Sequence, residues 1–326
     1  WVRLEDFTIK AQSESVKLFA NGLEQIKVRV AVKPFDEQDI EVPLTPSELN
    51  SMRLIVADTL NELPYIGEEG IPADAPEGKQ WGVNESKNPY LYYPVSSSIA
   101  SEPQALDGSG KSLYIQTRGE TPLKIAVALT RADQAEFNST EQDGSEEKHN
   151  IIEIKPEPMP TYAIVNYEFE SIRVVGGENN DYELNTIDYY YLRFKQSVQN
   201  IKFVTVEFDS PTSMAQWESR QYAELMGSYT GYALPGSKTL LFEPLLMQSI
   251  APELRPSLDV IAGNEAPEGA VLISLHRRSD FVFDNESDFV QPMKLKLIDE
   301  YGNQHKITVE FNSPTDRNKL KITATN

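Results

Sequence analysis

The strongest chemical signal in the sequence is two short runs of hard oxygen donors, Glu178-Asn179-Asn180-Asp181-Tyr182-Glu183 and Asp284-Asn285-Glu286-Ser287-Asp288. Several carboxylates and amide carbonyls within one turn suit calcium, which takes six to eight oxygen ligands. Asp181, Glu183, Asp284 and Asp288 are therefore the candidate calcium ligands. Neither run carries the central glycine and closing glutamate of a twelve-residue EF-hand loop, and a solvated acidic turn is the favoured explanation of both. No other cofactor is expected.

Other chemistry is poorly supported. Asp107-Gly108-Ser109-Gly110-Lys111-Ser112 looks like a phosphate loop, but Ala105 stands where the Walker pattern needs glycine. The residues that follow, Leu113 to Thr117, read as a strand rather than the helix whose amides would face a phosphate. His149, His276 and His305 fall in separate segments with no metal-ligand spacing. His276 could serve as a general base, yet no G-x-S-x-G nucleophile elbow accompanies it. Fifty carboxylates leave a glycosidase pair open, since separation in space defines such a pair. A catalytic function is not expected.

Aromatic residues in irregular stretches are the remaining candidates. Trp81 sits in Gly78-Lys79-Gln80-Trp81-Gly82, and Tyr90, Tyr92 and Tyr93 follow directly. Tyr229 and Tyr232 occupy a second stretch, Gly227 to Ser237. Aromatic rings on loops anchor interfaces or stack on sugars. The alternative for Trp81 is a plug folded back onto the core.

The elements that must position these residues are mostly strands. Ile26, Val28, Val30 and Val32 alternate with polar or small residues, and similar period-two runs recur from Leu123, Ile201, Met293 and Ile307. Runs of this kind, spaced by Gly, Pro, Asn and Asp clusters, predict an all-β chain of tandem β-sandwich units, immunoglobulin-like or jelly-roll-like. Helix is confined to two places. Thr45-Pro46-Ser47-Glu48 has a capping residue, a proline at the first helical position and a glutamate three after the cap. Ser213 to Met226 places Met214, Trp217, Gln221 and Leu225 on one helical face, predicting one short helix near 213–226.

Lys155-Pro156-Glu157-Pro158-Met159-Pro160 reads as a stiff spacer, which divides the chain into domains 1–157 and 161–326. Within the second, Val206-Glu207-Phe208-Asp209-Ser210-Pro211-Thr212 is echoed by Val309-Glu310-Phe311-Asn312-Ser313-Pro314-Thr315, so an internally duplicated pair of small sandwiches is one reading. Stretches 61–89 and 131–150 are expected to be long loops. Loops beyond about 12–15 residues in compact domains are usually functional or disordered.

Composition bounds the partners. The net charge of −20, spread over both halves, disfavours nucleic acid and anionic membrane surfaces. No apolar run approaches the ~18 residues of a spanning helix, so membrane insertion is not expected. The absence of cysteine excludes disulfides, thiolate metal sites and a cysteine nucleophile. The sequence opens at Trp1 rather than Met, leaving room for a preceding signal peptide or domain.

Ala20-Asn21-Gly22 followed by Gln25-Ile26-Lys27-Val28-Arg29-Val30-Ala31-Val32 resembles bacterial immunoglobulin-like modules of the invasin and adhesin type, in which a small-residue/Asn-Gly turn feeds a valine strand. Asp299-Glu300-Tyr301-Gly302-Asn303 before Ile307 to Phe311 is similar to a second turn of those modules. The resemblance spans about 25 residues at opposite ends of the chain. It implies a sandwich fold and a bacterial surface or secreted setting, and it assigns no functional residue. The expected function is thus non-catalytic binding or adhesion to a protein or glycan through sandwich-end loops, outside the cell or on its surface. The alternatives are a structural subunit built with identical copies into a phage capsid, tail or fibre, or the receptor-binding part of a secreted toxin.

Overall fold

The structure is a computed structural model that describes residues 1–13, 15–67, 69–94, 109–141, 150–176, 186–195, 201–209, 211–217, 227–249, 268–278, 289–313 and 316–324. The fold is all-β. The chain divides into two compact units, Trp1–Pro160 with Tyr301–Asn303, and Thr161–Glu300 with Gln304–Asn326.

The first unit contains strands β1 (Arg3–Ala11), β2 (Lys17–Phe19) and β3 (Ile26–Phe35), then helix α1 (Pro46–Ser51) and strand β4 (Arg53–Val56). Strands β5 (Trp81–Asn84), β6 (Ser109–Thr117), β7 (Leu123–Thr130), β8 (Glu136–Asn138) and β9 (Ile152–Glu157) follow. One sheet has the order β1-β3-β6-β5, the other β2-β9-β7-β4 with β8 also on β7. Among the described strands of this unit, only β2 and β9 form a parallel ladder. The alternation read from the sequence sets the register of β3: Val28, Val30 and Val32 are fully buried, and Lys27 and Arg29 point away. They join Leu113 and Ile115 of β6 in a single core with Ile125, Val127 and Leu129 of β7. Each such side chain contributes about 1.5–3 kcal/mol on burial.

Helix α1 forms where the sequence signal places it. Thr45 is its N-cap in extended conformation, and Glu48 completes the capping box. Glu48 does more than cap. Its carboxylate accepts from the Thr45 amide (2.9 Å) and hydroxyl (2.9 Å), from the Trp1 indole (3.0 Å) and from the Ala132 amide (3.2 Å). Arg131 lies over both the Trp1 and Phe137 rings. The N-terminal strand, helix α1 and the β7–β8 hairpin thus converge on one carboxylate.

Three irregular stretches differ from the sequence reading. Residues 61–80 are not a free loop, because backbone bonds pin them along their length: Leu63 to Leu54, Ile66 to Val83, and Ile71 to Gly22. Leu63 and Ile71 are buried, and 81–84 is itself a strand. The 131–150 stretch begins as a tight hairpin, in which the Arg131 amide donates to Ala135 and Gln134 adopts φ 70°. Residues 142–149 lie outside the described residues. The proline spacer starts inside β9. The parallel ladder takes the Lys155 amide and the Glu157 carbonyl, so it asks no donor of Pro156.

The second unit contains β10 (Tyr167–Val175), β11 (Thr186–Phe194), β12 (Phe203–Phe208), β13 (Ala215–Trp217) and β14 (Gly227–Ala233). Helix α2 (Pro244–Ser249) and strands β15 (Val271–Arg278), β16 (Met293–Asp299), β17 (Gln304–Ser313) and β18 (Asp316–Ala324) complete it. All pairings among the described strands are antiparallel, in sheets of order β10-β11-β15-β14-β13 and β12-β16-β17-β18. The sheets face one another. The Tyr190 hydroxyl of one accepts from the Leu320 amide of the other, and Thr230 meets Met293 across the gap.

Two further expectations are corrected in this unit. The helix read over 213–226 is absent at its start. Ala215–Trp217 is a strand, bonded to β14 on one side and, through the Ala215 amide, to the Phe289 carbonyl on the other. Pairing on both sides outweighs a local spacing of apolar residues. Residues 218–226 lie outside the described residues. The heptapeptide repeat does not mark two sandwiches. The segments Val206 to Phe208 and Val309 to Phe311 of its copies belong to β12 and β17, which flank β16 in one sheet.

The Glu48 carboxylate gives a test by pH. Burial alone would raise it, but the hydrogen bonds from Thr45, Ala132 and Trp1 win and hold it below the ordinary glutamate value. A depressed folded pKa stabilises above the unfolded value, near 4.5, and that stability is lost as pH falls through the folded one. Glu48→Gln is expected to cost about 1–2 kcal/mol at neutral pH and to flatten the loss on acidification. Urea melts from pH 7 to pH 3 check it; parallel curves for the two proteins would contradict the assignment.

Candidate functional site

The candidate residues fall into different environments. Tyr229 is in the central strand β14, not a loop. It is 1 % exposed and stacked on His276 with ring centroids 5.0 Å apart. Tyr232, also in β14, is half-buried with its ring 4.0 Å from that of Phe208. The run Gly227-Ser228-Tyr229-Thr230-Gly231 looks like a loop because its residues are small. They are small because segments pack on both faces of the strand: a side chain at Gly231 would strike Phe242 and Leu241. His276 lies in the same layer. Burial, helped by the Arg278 charge, pushes its pKa down to about 3, so it is neutral at physiological pH.

Trp81 opens β5 at the sheet edge, paired with Thr117. Its ring is half-buried and packs against the core of the first unit. It is an anchor of the edge strand rather than the tip of a loop. Asp181, Glu183, Asp284 and Asp288 lie outside the described residues. Among the described residues, no group of three or more His, Asp or Glu side chains is placed to hold a metal ion.

Tyr90 and Tyr92 do come together, in a strap over residues 85–94 that follows β5. The strap is fastened to Leu23 and Gln25, just ahead of β3. The Asn88 amide donates to Gln25 Oε1 (2.8 Å), Gln25 Nε2 donates to the Ser86 carbonyl (3.1 Å), and Asn88 Nδ2 donates to the Leu23 carbonyl. Lys87 then folds the strap on itself. Its ammonium donates to the Asn88 carbonyl (2.9 Å) and to the Tyr90 carbonyl, and it lies 4.7 Å from the centre of the Tyr92 ring. A cation over a tyrosine face contributes about 0.5–1 kcal/mol when exposed and more when desolvated. Partial burial lowers the Lys87 pKa and raises that of Tyr92.

A second aromatic pair adjoins the strap. Tyr93 and Phe19 have ring centroids 4.9 Å apart, and Lys17 stands 5.9 Å from the Tyr93 ring. Lys17 is held by Glu157 at 2.5 Å, which raises its pKa. Leu91, between the tyrosines, is 46 % exposed. The result is a surface of tyrosine rings, one leucine and two oriented ammonium groups on a rigid sheet end. It offers ring faces, phenol hydroxyls and positive charge, the means of recognising a sugar or a protein side chain.

Lys17, Phe19, Gln25, Lys87 and Asn88 were not among the sequence candidates. Lys87-Asn88-Pro89 before a tyrosine cluster is a turn signal that marks the strap locally. Nothing local marks Phe19 or Gln25, which reach the strap only through the fold.

In the second unit, Tyr167, His305 and Asp299 form a buried chain. The Tyr167 hydroxyl is 2.9 Å from His305 Nδ1, and His305 Nε2 is 3.1 Å from Asp299 Oδ2. The rings of Tyr162, Phe194 and Phe203 enclose the imidazole. Its polar atoms face one another, and the chain ties β10 to the β16–β17 hairpin.

No protein-family model matches the chain, and no curated protein matches it.

The placement of Trp81 predicts a split between stability and surface. Trp81→Ala is expected to cost about 2 kcal/mol, below the range for a fully buried tryptophan because the ring is only half-buried. Tyr92→Ala is expected to cost less than about 1 kcal/mol. Chemical denaturation followed by near-ultraviolet circular dichroism checks both; an unshifted midpoint for Trp81→Ala would contradict its role as an anchor.

Proposed function

We propose that the chain is a non-catalytic binding protein, and that its contact surface is the aromatic strap at 85–94 with Phe19 and Lys17 of the first unit. The observation that carries this reading is the way the strap is built. A stretch exposing Leu91 and bearing three tyrosines is held by side-chain bonds from buried Gln25 and by the Lys87 ammonium. A preorganised aromatic surface loses little entropy on binding, and loops on a rigid scaffold are where recognition is usually placed. The ligand is a protein or a glycan on a cell surface. The extracellular or surface setting rests on the resemblance of Ala20-Asn21-Gly22 and the following strand to invasin-type modules.

The edge strands favour binding over assembly from identical copies. Among the described residues, β10, β12 and β18 each pair on one side only. All three carry charges: Glu168, Glu170 and Arg173 on β10, Glu207 on β12, Lys319 and Lys321 on β18. Charged edges are a common defence against strand-to-strand association.

Glycan arrays and cell-binding assays with the whole chain test the proposal. A tyrosine hot spot contributes at least about 2 kcal/mol, so Tyr92→Ala or Tyr93→Ala should lower affinity about thirtyfold with an almost unchanged melt. Binding that survives the double variant Tyr92→Ala/Tyr93→Ala at full strength would contradict the assigned surface.

A further inference from the structure

The second unit holds an open cavity of about 420 Å³, lined in part by Met214, Val290, Pro292, Phe311, Glu310 and Lys321. Its size falls within the ~300–1,000 Å³ of small-molecule sites. We propose that it binds a small zwitterion with an apolar side chain, a free α-amino acid of the leucine or phenylalanine type.

The argument starts from how the lining is divided. Met214, Val290, Pro292 and Phe311 give the cavity an apolar part, and Val290 is 56 % exposed, an apolar side chain left in water unless something covers it. The polar part holds Gln216, Asn312 and Ser313 together with a matched pair of charges. Glu310 of β17 and Lys321 of β18 are register partners, with Lys321 Nζ 3.3 Å from Glu310 Oε1. Both remain partly exposed, 32 % and 45 %, so each keeps capacity for a further partner. Two of the lining residues are joined directly: Gln216 Nε2 donates to the Ser313 carbonyl (3.1 Å) and ties β13 to the end of β17.

Paired opposite charges select by ligand charge. A simple anion drawn to Lys321 meets Glu310 beside it, and a simple cation drawn to Glu310 meets Lys321. Like charges at such distances repel. An amino acid carries both signs two bonds apart on a single carbon. Its ammonium can face Glu310 and its carboxylate Lys321 while the side chain enters the apolar part. The charge pair is solvent-exposed, so its contribution is modest and the apolar body supplies much of the affinity. Weak, millimolar binding with a clear preference for zwitterions is the expected behaviour.

The test is ligand-detected NMR and calorimetry on the full chain with L-leucine and L-phenylalanine. Four singly charged analogues serve as controls: 4-methylpentanoate, 3-phenylpropionate, isoamylamine and phenethylamine. The proposal expects saturable binding of the amino acids and binding about fivefold weaker for every analogue. Lys321→Met should remove the preference over the two amines, leaving the carboxylates weak beside Glu310, and Val290→Glu, at an exposed position compatible with folding, should abolish binding by placing charge at the apolar lip. Equal affinity for amino acids and analogues would overturn the proposal, reducing the cavity to an apolar cleft. Absence of saturable binding by either amino acid at millimolar concentration would overturn it too. Neither result bears on the strap of the first unit, whose variants leave this cavity unchanged.

Discussion

The first unit depends on one buried chain reversal, Asn21 to Gln25. Gly22 adopts φ +74°, and a β-carbon there would come within 2.7 Å of the Ile71 carbonyl and 2.8 Å of Arg118. Only glycine meets both the backbone angle and the space. Around it, three polar side chains are almost fully buried: Asn21 at 2 %, Glu24 and Gln25 at 0 %. Burying polar groups costs several kcal/mol unless hydrogen bonds replace water, so each becomes a point of attachment. Asn21 accepts from the Leu23 and Glu24 amides, and Glu24 accepts from the Phe19 amide. The Gly22 carbonyl takes the Ile71 amide and Gln116 Nε2, while the Gly22 amide donates to Thr117.

Both long irregular segments of the unit fasten to this reversal. The 61–80 stretch attaches through Ile71 to Gly22. The aromatic strap attaches through Asn88 and Ser86 to Leu23 and Gln25. Phe19, whose ring packs at a tilt against Tyr93, enters through Glu24. Residues with no regular secondary structure thereby gain a fixed position, and the binding surface proposed there would need no ordering when a ligand arrives. The second unit fixes its irregular parts by other means. Gly231 in β14 lets Leu241 and Phe242 lie close against it, and rings seal the Tyr167–His305–Asp299 chain.

How much of this could be read from the sequence depends on whether the cause is local. The start of helix α1 was legible to the residue, because its capping box uses four consecutive positions. The alternation in β3 was legible because one face is buried and the other is not. The Asn21-Gly22 turn was legible as a turn, but its role as an anchor rests on partners 49 and 94 residues away, Ile71 and Gln116. Trp81 looked like a loop tip because glycines flank it, yet Gly82 is there for lack of room beside Ile66. The same confusion of close packing with looseness made β14 look like a loop. Met214 and Trp217 suggested a helix because pairing to β14 and Phe289 cannot be seen from spacing. Tyr90 and Tyr92 were found by residue type alone, and Lys87 and Gln25, which position them, were not.

Residue-resolved amide hydrogen exchange tests the anchoring most directly. Amides that open only with the whole unit exchange with free energies near its global stability, whereas those of tethered loops exchange far faster. If Asn21 to Gln25 hold the strap and the 61–80 stretch, the amides of Leu23, Ile71 and Asn88 exchange as slowly as those of Val28 and Ile115 in the central strands. Fast exchange at Ile71 and Asn88, with Val28 and Ile115 still protected, would show that these segments open independently and would contradict the account.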